Sequence, residues 1–275
     1  MAARGLRPFF VNAATFALLT FACVGPAFSV DWTRFEPFFW RDVVISGVLC
    51  ALGNACLVAA LGRGELSILG PINAWKAVVG LTFGFFLLGE TPTFPALGGV
   101  FLIGVGSYFV LDASPERFSF RLLFGNSAIR LRVAALILTA LEAIFIKKIV
   151  LAAGPSTAFF LWSATGALFS TLSLGVAAFV SSISTQTAPT SPTSRFSARD
   201  ALELAATAAC VGTMQLSTNF AFERLDVGLA LALFQLSSLL NVLLGWRLFR
   251  ERGVVKKLFG ATITVVGAGC VVLFG

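Results

Sequence analysis

The sequence contains no histidine and very few charged residues. Charged side chains make up 12% of its 275 residues, whereas a soluble globular domain has about 25%. Hydrophobic residues make up 57% of the chain, which is more apolar surface than a water-soluble fold of this size can hide from water. The scarcity of charge therefore excludes an ordinary soluble domain.

The missing histidine and the pattern of the cysteines argue against the common metal and nucleophile chemistries. The five cysteines form no C-x-x-C pair, and each lies inside an apolar stretch, so they are interpreted as small packing residues. An intramembrane enzyme would need an activated nucleophile, a paired-aspartate site or a metal cluster, and no aspartate lies deep in an apolar stretch. We expect no catalytic residue, no metal ion and no cofactor.

Nine apolar stretches of about 20 residues fill most of the chain. Each can cross a hydrocarbon core of about 30 Å as a helix, and the alternation of a β-barrel is absent. The stretches are 9–30, 43–62, 66–89, 93–111, 133–153, 155–183, 201–222, 227–246 and 258–275. The sequence thus predicts an all-α polytopic membrane protein embedded in a lipid bilayer.

Basic residues are concentrated in the short segments between these stretches. The net charge of +7 is explained better by membrane topology than by a nucleic-acid partner. Most lysines and arginines fall on the side that also holds the N-terminus. The positive-inside rule then places the N-terminus in the cytosol and, after nine crossings, the C-terminus outside. The expected location is the cell (inner) membrane.

Two parts of the chain correspond when the sequence is shifted by 161 positions, which overlays residues 43–111 on 204–272 without a gap. Five crossings separate a stretch from its image, so the second copy is expected to be inverted, as in many secondary transporters. The alternative is that duplication left this symmetry without any role in transport. The shift brings together Arg63 and Arg224, Glu90 and Glu251, Gly99 and Gly260, and Gly106 and Gly267.

The run 66–111 has Pro71 early in one stretch, Gly89-Glu90 at the end of that stretch, and a glycine-rich stretch after it. With these features the run resembles the drug/metabolite transporter superfamily, in its EamA-like branch. The second run, 229–275, is similar, although Ala232 stands at the proline position. The resemblance covers about residues 8–275 and implies ten helices in two inverted five-helix repeats around a central cavity.

The predicted domains follow from the repeat and from this resemblance. The first repeat is 1–111 with four helices, 112–132 is a connecting loop, and the second repeat is 133–275 with five helices. The Ser-, Thr- and Pro-rich segment 181–200 is predicted to be a flexible loop. The helix that opens the second repeat has no image in the first. We therefore expect either a start codon assigned too late or a reduced nine-helix protein.

Two ionisable residues inside the stretches are the first candidates for substrate binding. Lys76 and Glu142 lie near the middle of their stretches, where a charge costs at least about 2.5 to 3.5 kcal/mol and normally faces a partner or a watery pathway. The alternatives are a static ion pair, or a Lys76 side chain that extends towards the interface. The small multidrug-resistance relatives of the superfamily exchange a proton for a drug at an acidic residue in the middle of their first helix. The resemblance therefore suggests Glu142 as the equivalent residue and the proton as a coupling ion.

Amide side chains form the second group of candidates. In a membrane such amides either bind solutes or hydrogen-bond neighbouring helices for about 0.6 kcal/mol each, and the two interpretations remain open. The candidates are Asn73 on the face of Lys76, Asn54 as the image of Gln215, Asn219 one turn after Gln215, and Gln235 and Asn241 in the eighth stretch.

Glycines and carboxylates near the helix ends receive structural interpretations. The Gly80-x-x-x-Gly84 spacing predicts a packing seam rather than a cavity wall. Glu90 and Glu251 each precede a short turn into the next helix and are interpreted as helix caps.

The predicted function is secondary transport of a small metabolite or amphiphilic solute by alternating access of two inverted repeats, in a monomer or a homodimer. The alternatives are a membrane scaffold without transport activity and a reduced, inactive transporter remnant that lacks one helix.

Overall fold

All regular structure in the described part of the chain is helical. The computed structural model describes residues 8–61, 75–89, 91, 93–112, 127–183, 197–234 and 254–274. The all-α prediction is confirmed over these ranges. The helices are α1 (Pro8–Ala22), α2 (Val24–Ala27), α3 (Pro37–Leu61), α4 (Trp75–Leu88), α5 (Phe94–Asp112), α6 (Ser127–Ala153), α7 (Pro155–Ile183), α8 (Ala198–Arg224), α9 (Val227–Leu233) and α10 (Val254–Phe274).

Glycine and proline set the boundary between α6 and α7. Gly154 has a φ of 85°, a left-handed conformation that glycine adopts without steric cost, and its N–H donates to the carbonyl of Val150 at 2.8 Å. This glycine closes α6 in the usual C-terminal manner. Pro155 then begins α7, where its missing N–H costs no helical hydrogen bond. The helix α7 spans 155–183, as the apolar pattern predicts.

Several observed helices differ in their bounds from the predicted stretches. The helices α3, α8 and α10 begin at Pro37, Ala198 and Val254, before the predicted 43, 201 and 258. The stretch 9–30 is interrupted at Cys23, since Pro26 has no N–H to continue the hydrogen-bond ladder. The helix α6 begins at Ser127, six residues before the predicted 133. The arginines that end the apolar window are good helix formers, so they do not end the helix.

The predicted loops are correspondingly shorter. In the loop 112–132, residues 112 and 127–132 are helical, and 113–126 lie outside the described residues. In the loop 181–200, α7 continues to Ile183 and α8 begins at Ala198, while 184–196 lie outside the described residues.

A reciprocal cap explains where α8 begins. The hydroxyl of Ser197 accepts a hydrogen bond from the N–H of Arg199 at 3.3 Å, and the carboxylate of Asp200 accepts one from the N–H of Ser197 at 3.0 Å. This is a capping box with an aspartate in the place of the usual glutamate. The pair satisfies backbone donors that the first turn of a helix leaves free.

Contacts divide the chain into two compact units, one formed by Met1–Ala51 with Phe145–Glu223 and the other by Leu52–Ile144 with Arg224–Gly275. In the first unit α1 packs along α7. The ring of Phe16 fills the space beside Gly166, where an added Cβ would come within 2.6 Å of it. The same ring meets Trp162 edge-on at 4.9 Å.

In the second unit α5 and α10 meet at glycines. A Cβ added to Gly106 would lie 2.5 Å from the carbonyl oxygen of Gly260, and one added to Gly267 would lie 2.6 Å from the carbonyl oxygen of Gly99. The two backbones therefore touch, as glycine permits in membrane helix pairs. We call this contact the glycine seam.

Five described segments are apolar in the way of membrane helices. Pro37–Leu57 and Pro155–Gly175 are long and apolar enough to cross a bilayer by length and composition. Shorter apolar helical segments cover Phe10–Ala22, Val78–Leu88 and Phe94–Gly106.

Candidate functional site

Two of the predicted amides form a hydrogen-bonded chain in the first unit. Asn219 is fully buried, and its Nδ2 donates to the carbonyl oxygen of Pro155 at 3.1 Å. Its Oδ1 accepts from Nε2 of Gln215 at 3.0 Å. Asn219 thus ties α8 to the start of α7. Of the two interpretations left open, the geometry favours bonding between helices for Asn219, whereas Gln215 bonds to Asn219 within α8.

The helix α8 can reach this position because its buried face includes the small residues Ala208 and Gly212. Leu204, Ala208 and Gly212 recur every four residues on the buried face. Gly212 has no side chain to hold its neighbours away, and an added Cβ would lie 2.7 Å from Leu19 and 3.6 Å from Phe159. Because α8 lies this close to α1 and α7, the Asn219 amide is within reach of Pro155.

Asn54, Lys76 and Glu142 all lie in the second unit and are half-buried. They belong to α3, α4 and α6 respectively. Each makes a polar or electrostatic interaction with its surroundings or lies in contact with a ring, so none is an isolated group.

The helices α3 and α4, which carry Asn54 and Lys76, pack on α6, which carries Glu142. An added Cβ on Gly53, the neighbour of Asn54, would lie 2.7 Å from Cγ2 of Thr139. Thr139 precedes Glu142 by three residues, which is about one helical turn. Val79, one turn after Lys76, packs against the buried side chains of Ile129 and Leu136. The helix α6 therefore carries the carboxylate itself and contacts the helices that carry the amide and the cation.

Several other predicted residues fall outside the part of the chain that the structure describes. Asn73, Gln235 and Asn241 lie outside the described residues, as do Glu90 and Glu251, which are predicted to be caps. The seam predicted at Gly80 is confirmed, because the side chain of Leu231 on α9 occupies the space that a Cβ would need.

One polar contact was not anticipated from the sequence. Nδ2 of Asn12 on α1 donates to the hydroxyl of Ser170 on α7 at 3.1 Å. The signal was present, because Asn12 is an amide within a stretch of otherwise apolar and small residues. The partner depends on how α1 and α7 pack, which no local pattern specifies.

A second unanticipated feature is a cluster of aromatic rings that runs from the end of α2 into the first turns of α3. We call residues 28–42 the aromatic elbow. Phe35 and Phe39 stack with centroids 4.2 Å apart, and Trp32 lies 6.0 Å from Trp40. Nε1 of Trp32 donates to the carbonyl of Ala27 at 3.1 Å, which closes the elbow back onto the end of α2.

Asp31 caps the 3₁₀ turn Trp32–Arg34 at the centre of the elbow. Its carboxylate accepts hydrogen bonds from the hydroxyl of Thr33 at 2.6 Å and from the N–H of Thr33 at 3.1 Å. These bonds, chiefly the one from the hydroxyl, together with the nearby positive charge of Arg34, hold the pKa of Asp31 below its ordinary value of 3.8. Hydrogen bonds to the charged form of an acid have this effect.

Comparison with known proteins gives a family for the first part of the chain. Residues 1–112 match the model of the EamA-like transporter family. No curated protein matches the chain. This match covers the first 112 of the 275 residues. The described residues are helical, and two of their helices are long and apolar enough to cross a bilayer.

A solved structure shows the same fold over the whole chain. This structure, described as the crystal structure of a protein, is 19% identical and has a TM-score of 0.69. The superposition covers 99% of this chain and 90% of the other. At this identity the likeness concerns the fold alone.

Proposed function

We propose that this chain, whose residues 1–112 match the EamA-like transporter family, is a secondary transporter that works by alternating access of two inverted repeats, 1–111 and 133–275. The cargo is a small metabolite or an amphiphilic solute. The observation that carries this proposal is the symmetry of the glycine seam.

The contacts of the seam are reciprocal under the shift of 161 positions. Gly106 lies against Gly260, the image of Gly99, while Gly267, the image of Gly106, lies against Gly99. Contacts that exchange in this way are the mark of a two-fold axis, as at the interface of a symmetric dimer.

The direction of the two helices supports inversion. Gly106 in the second half of α5 meets Gly260 in the first half of α10, and Gly267 in the second half of α10 meets Gly99 in the first half of α5. The image helices therefore run antiparallel at this contact. An antiparallel pair related by a two-fold axis is what inverted-topology transporters contain.

The helices α1 and α7 give an independent sign of the same arrangement. Asn12 contacts Ser170, and Phe16, further along α1, contacts Trp162 earlier in α7. This pair is also antiparallel. The stretches that contain α1 and α7 occupy equivalent places in the two proposed repeats.

Lys76, Glu142 and Asn54 are the proposed substrate-binding residues of the described chain. Glu142 supplies a carboxylate on α6, and Lys76 and Asn54 supply a cation and an amide on the helices that pack against it. A solute with complementary charge would compete with the existing interactions of Lys76 or Glu142, and this competition would couple binding to a change of conformation. Protonation of Glu142 would be the route for proton coupling.

Flux through reconstituted protein tests the proposal. Proteoliposomes would be offered labelled amino acids, hexoses and nucleotide sugars, and the amphiphilic cation ethidium. We expect time-dependent uptake of at least one of them above that of protein-free vesicles. No uptake of any of these solutes by protein that elutes as a single folded species would favour a membrane scaffold.

The site residues are tested with the solute found in that screen. Lys76→Ala and Glu142→Gln should each abolish flux or its dependence on a proton gradient, with unchanged elution in detergent. Arg130→Gln is the matched control, because it removes an exposed charge from α6 and should transport normally. Normal flux in both site variants would reduce Lys76 and Glu142 to structural residues.

A further inference from the structure

We propose that the aromatic elbow is an interfacial anchor whose partner is the layer of zwitterionic phospholipid headgroups. Aromatic residues with one polar edge concentrate at the level of the headgroups in membrane proteins. This inference rests on the proposed membrane location of the chain. The elbow connects two helices, exposes several large rings and carries charges of both signs.

The elbow is a preformed platform rather than a loose connection. Phe35 stacks on Phe39, and Trp32 packs towards Phe160 of α7 with centroids 6.1 Å apart. These internal contacts hold the segment without help from lipid. The large rings left at its surface are Phe28, which is 85% exposed, Phe38, 65% exposed, and Trp40, 38% exposed.

The exposed rings continue the apolar outer surface of α3. Phe38, Arg41 and Val44 are all exposed. At 100° per residue their side chains lie within about 120° of one another around the helix, and Phe38 is about 9 Å along the axis from Val44. An apolar surface on an integral membrane protein is covered by lipid. Phe38 and Arg41 lie at the end of α3 where this surface ends.

The charges of the elbow select zwitterionic rather than anionic lipid. Its cations are Arg34, which lies 4.8 Å over the ring of Phe35, and Arg41, which lies 5.1 Å over Phe38. Its carboxylates are Asp31, Glu36 and Asp42. Two cations and three carboxylates leave a net charge of −1, so the elbow has no excess of positive charge to attract anionic headgroups. Arg41 already pairs with Asp42 at 3.0 Å. Arg34 and Glu36 offer one charge of each sign to the phosphate and ammonium groups of a headgroup.

Tryptophan fluorescence measures the depth of the elbow. The wild type and Trp40→Phe would be reconstituted in phosphatidylcholine vesicles whose acyl chains carry bromine near the headgroup, half-way along or near the chain end. The difference between the two proteins isolates the emission of Trp40. Trp32→Phe provides a second reporter. The control is the emission of Trp162, obtained as the difference between the wild type and Trp162→Phe. Trp162 is buried in the protein, so this emission should resist every quencher.

We expect the largest loss of Trp40 emission with bromine near the headgroup, little loss with aqueous iodide, and the same profile when phosphatidylglycerol is added. Three results would overturn the proposal. Strongest quenching from the chain end would place the elbow in the hydrocarbon core, and quenching by iodide alone would place it in water. A profile that shifts with phosphatidylglycerol would make anionic lipid the partner. None of these results depends on whether the protein transports a solute.

Discussion

Asn219 shows how a polar residue in an apolar helix can be committed to structure. Its amide is fully buried, and both of its ends are engaged, by the carbonyl of Pro155 and by Gln215. A solute could reach it only after these bonds break. An interhelical bond of this kind contributes about 0.6 kcal/mol on average and at most about 1.7 kcal/mol.

Replacement of Asn219 separates the structural role from a binding role. Asn219→Leu should lower the free energy of unfolding in mixed detergent micelles by about 1 kcal/mol, since it removes both bonds. Gln215→Leu should cost less, because it removes one bond at a half-buried position. If Asn219→Leu kept full stability and lost only flux, Asn219 would be a binding residue.

At the scale of helices, the glycine seam is a close backbone contact between glycines that the shift of 161 positions relates in the sequence. Neither Gly106 nor Gly267 has room for a methyl group, because an added Cβ at either position would lie within 2.8 Å of backbone atoms of the opposite helix. Gly98 on α5 and Gly269 on α10 have no neighbouring atom within 4 Å of an added Cβ. The same two helices therefore offer matched positions for a test.

Alanine substitution should change the stability of the protein differently at these two pairs of glycines. Gly106→Ala and Gly267→Ala should each destabilise the protein by about 1 to 3 kcal/mol, because the helices must move apart. Gly98→Ala and Gly269→Ala should be neutral or stabilise it by up to about 1 kcal/mol through helix propensity. Unfolding in mixed detergent micelles measures all four. Equal effects of the four substitutions would contradict a tight seam.

The turn at the centre of the aromatic elbow should respond to acid. Hydrogen bonds from Thr33 lower the pKa of Asp31 in the folded protein, so the ionised carboxylate stabilises the turn at pH values above the ordinary pKa of an aspartate. This stabilisation is lost as the pH falls through the lower pKa of the folded state. The emission of Trp32 should therefore change below about pH 3.8.

Two variants identify the group that titrates in the elbow. Asp31→Asn should remove the acid transition in Trp32 emission, measured as the difference from Trp32→Phe, because the carboxamide does not ionise. Glu36→Gln should retain the transition. A transition of the same size in Asp31→Asn would assign it to another group.

At the scale of the whole molecule, the distribution of basic residues predicts the orientation in the membrane. The side that holds the N-terminus carries most of the lysines and arginines, so it should be cytosolic. A C-terminal reporter that is active only in the cytosol should give no signal, and the same reporter on the N-terminus should be active. Strong activity of the C-terminal fusion would reverse the assignment.

The sequence by itself determined the helical class, most helix boundaries and the family resemblance. Apolar stretches specify membrane helices because an unpaired backbone cannot lie in hydrocarbon. Local residues such as Gly154 and Pro155 set boundaries because their backbone preferences act within one turn. The correspondence of Gly99 and Gly106 with Gly260 and Gly267 under the shift of 161 positions was also readable.

Only the tertiary structure decided which polar residues are engaged between helices. Asn12, Gln215 and Asn219 look alike in the sequence, as amides in apolar helices. Their partners, Ser170 for Asn12 and the carbonyl of Pro155 for Asn219, are more than 60 positions away. In a bilayer every polar group seeks a partner, but the partner is chosen by which helices pack together. That choice depends on small residues such as Gly166 and Gly212, where Phe16 and Leu19 fill the space.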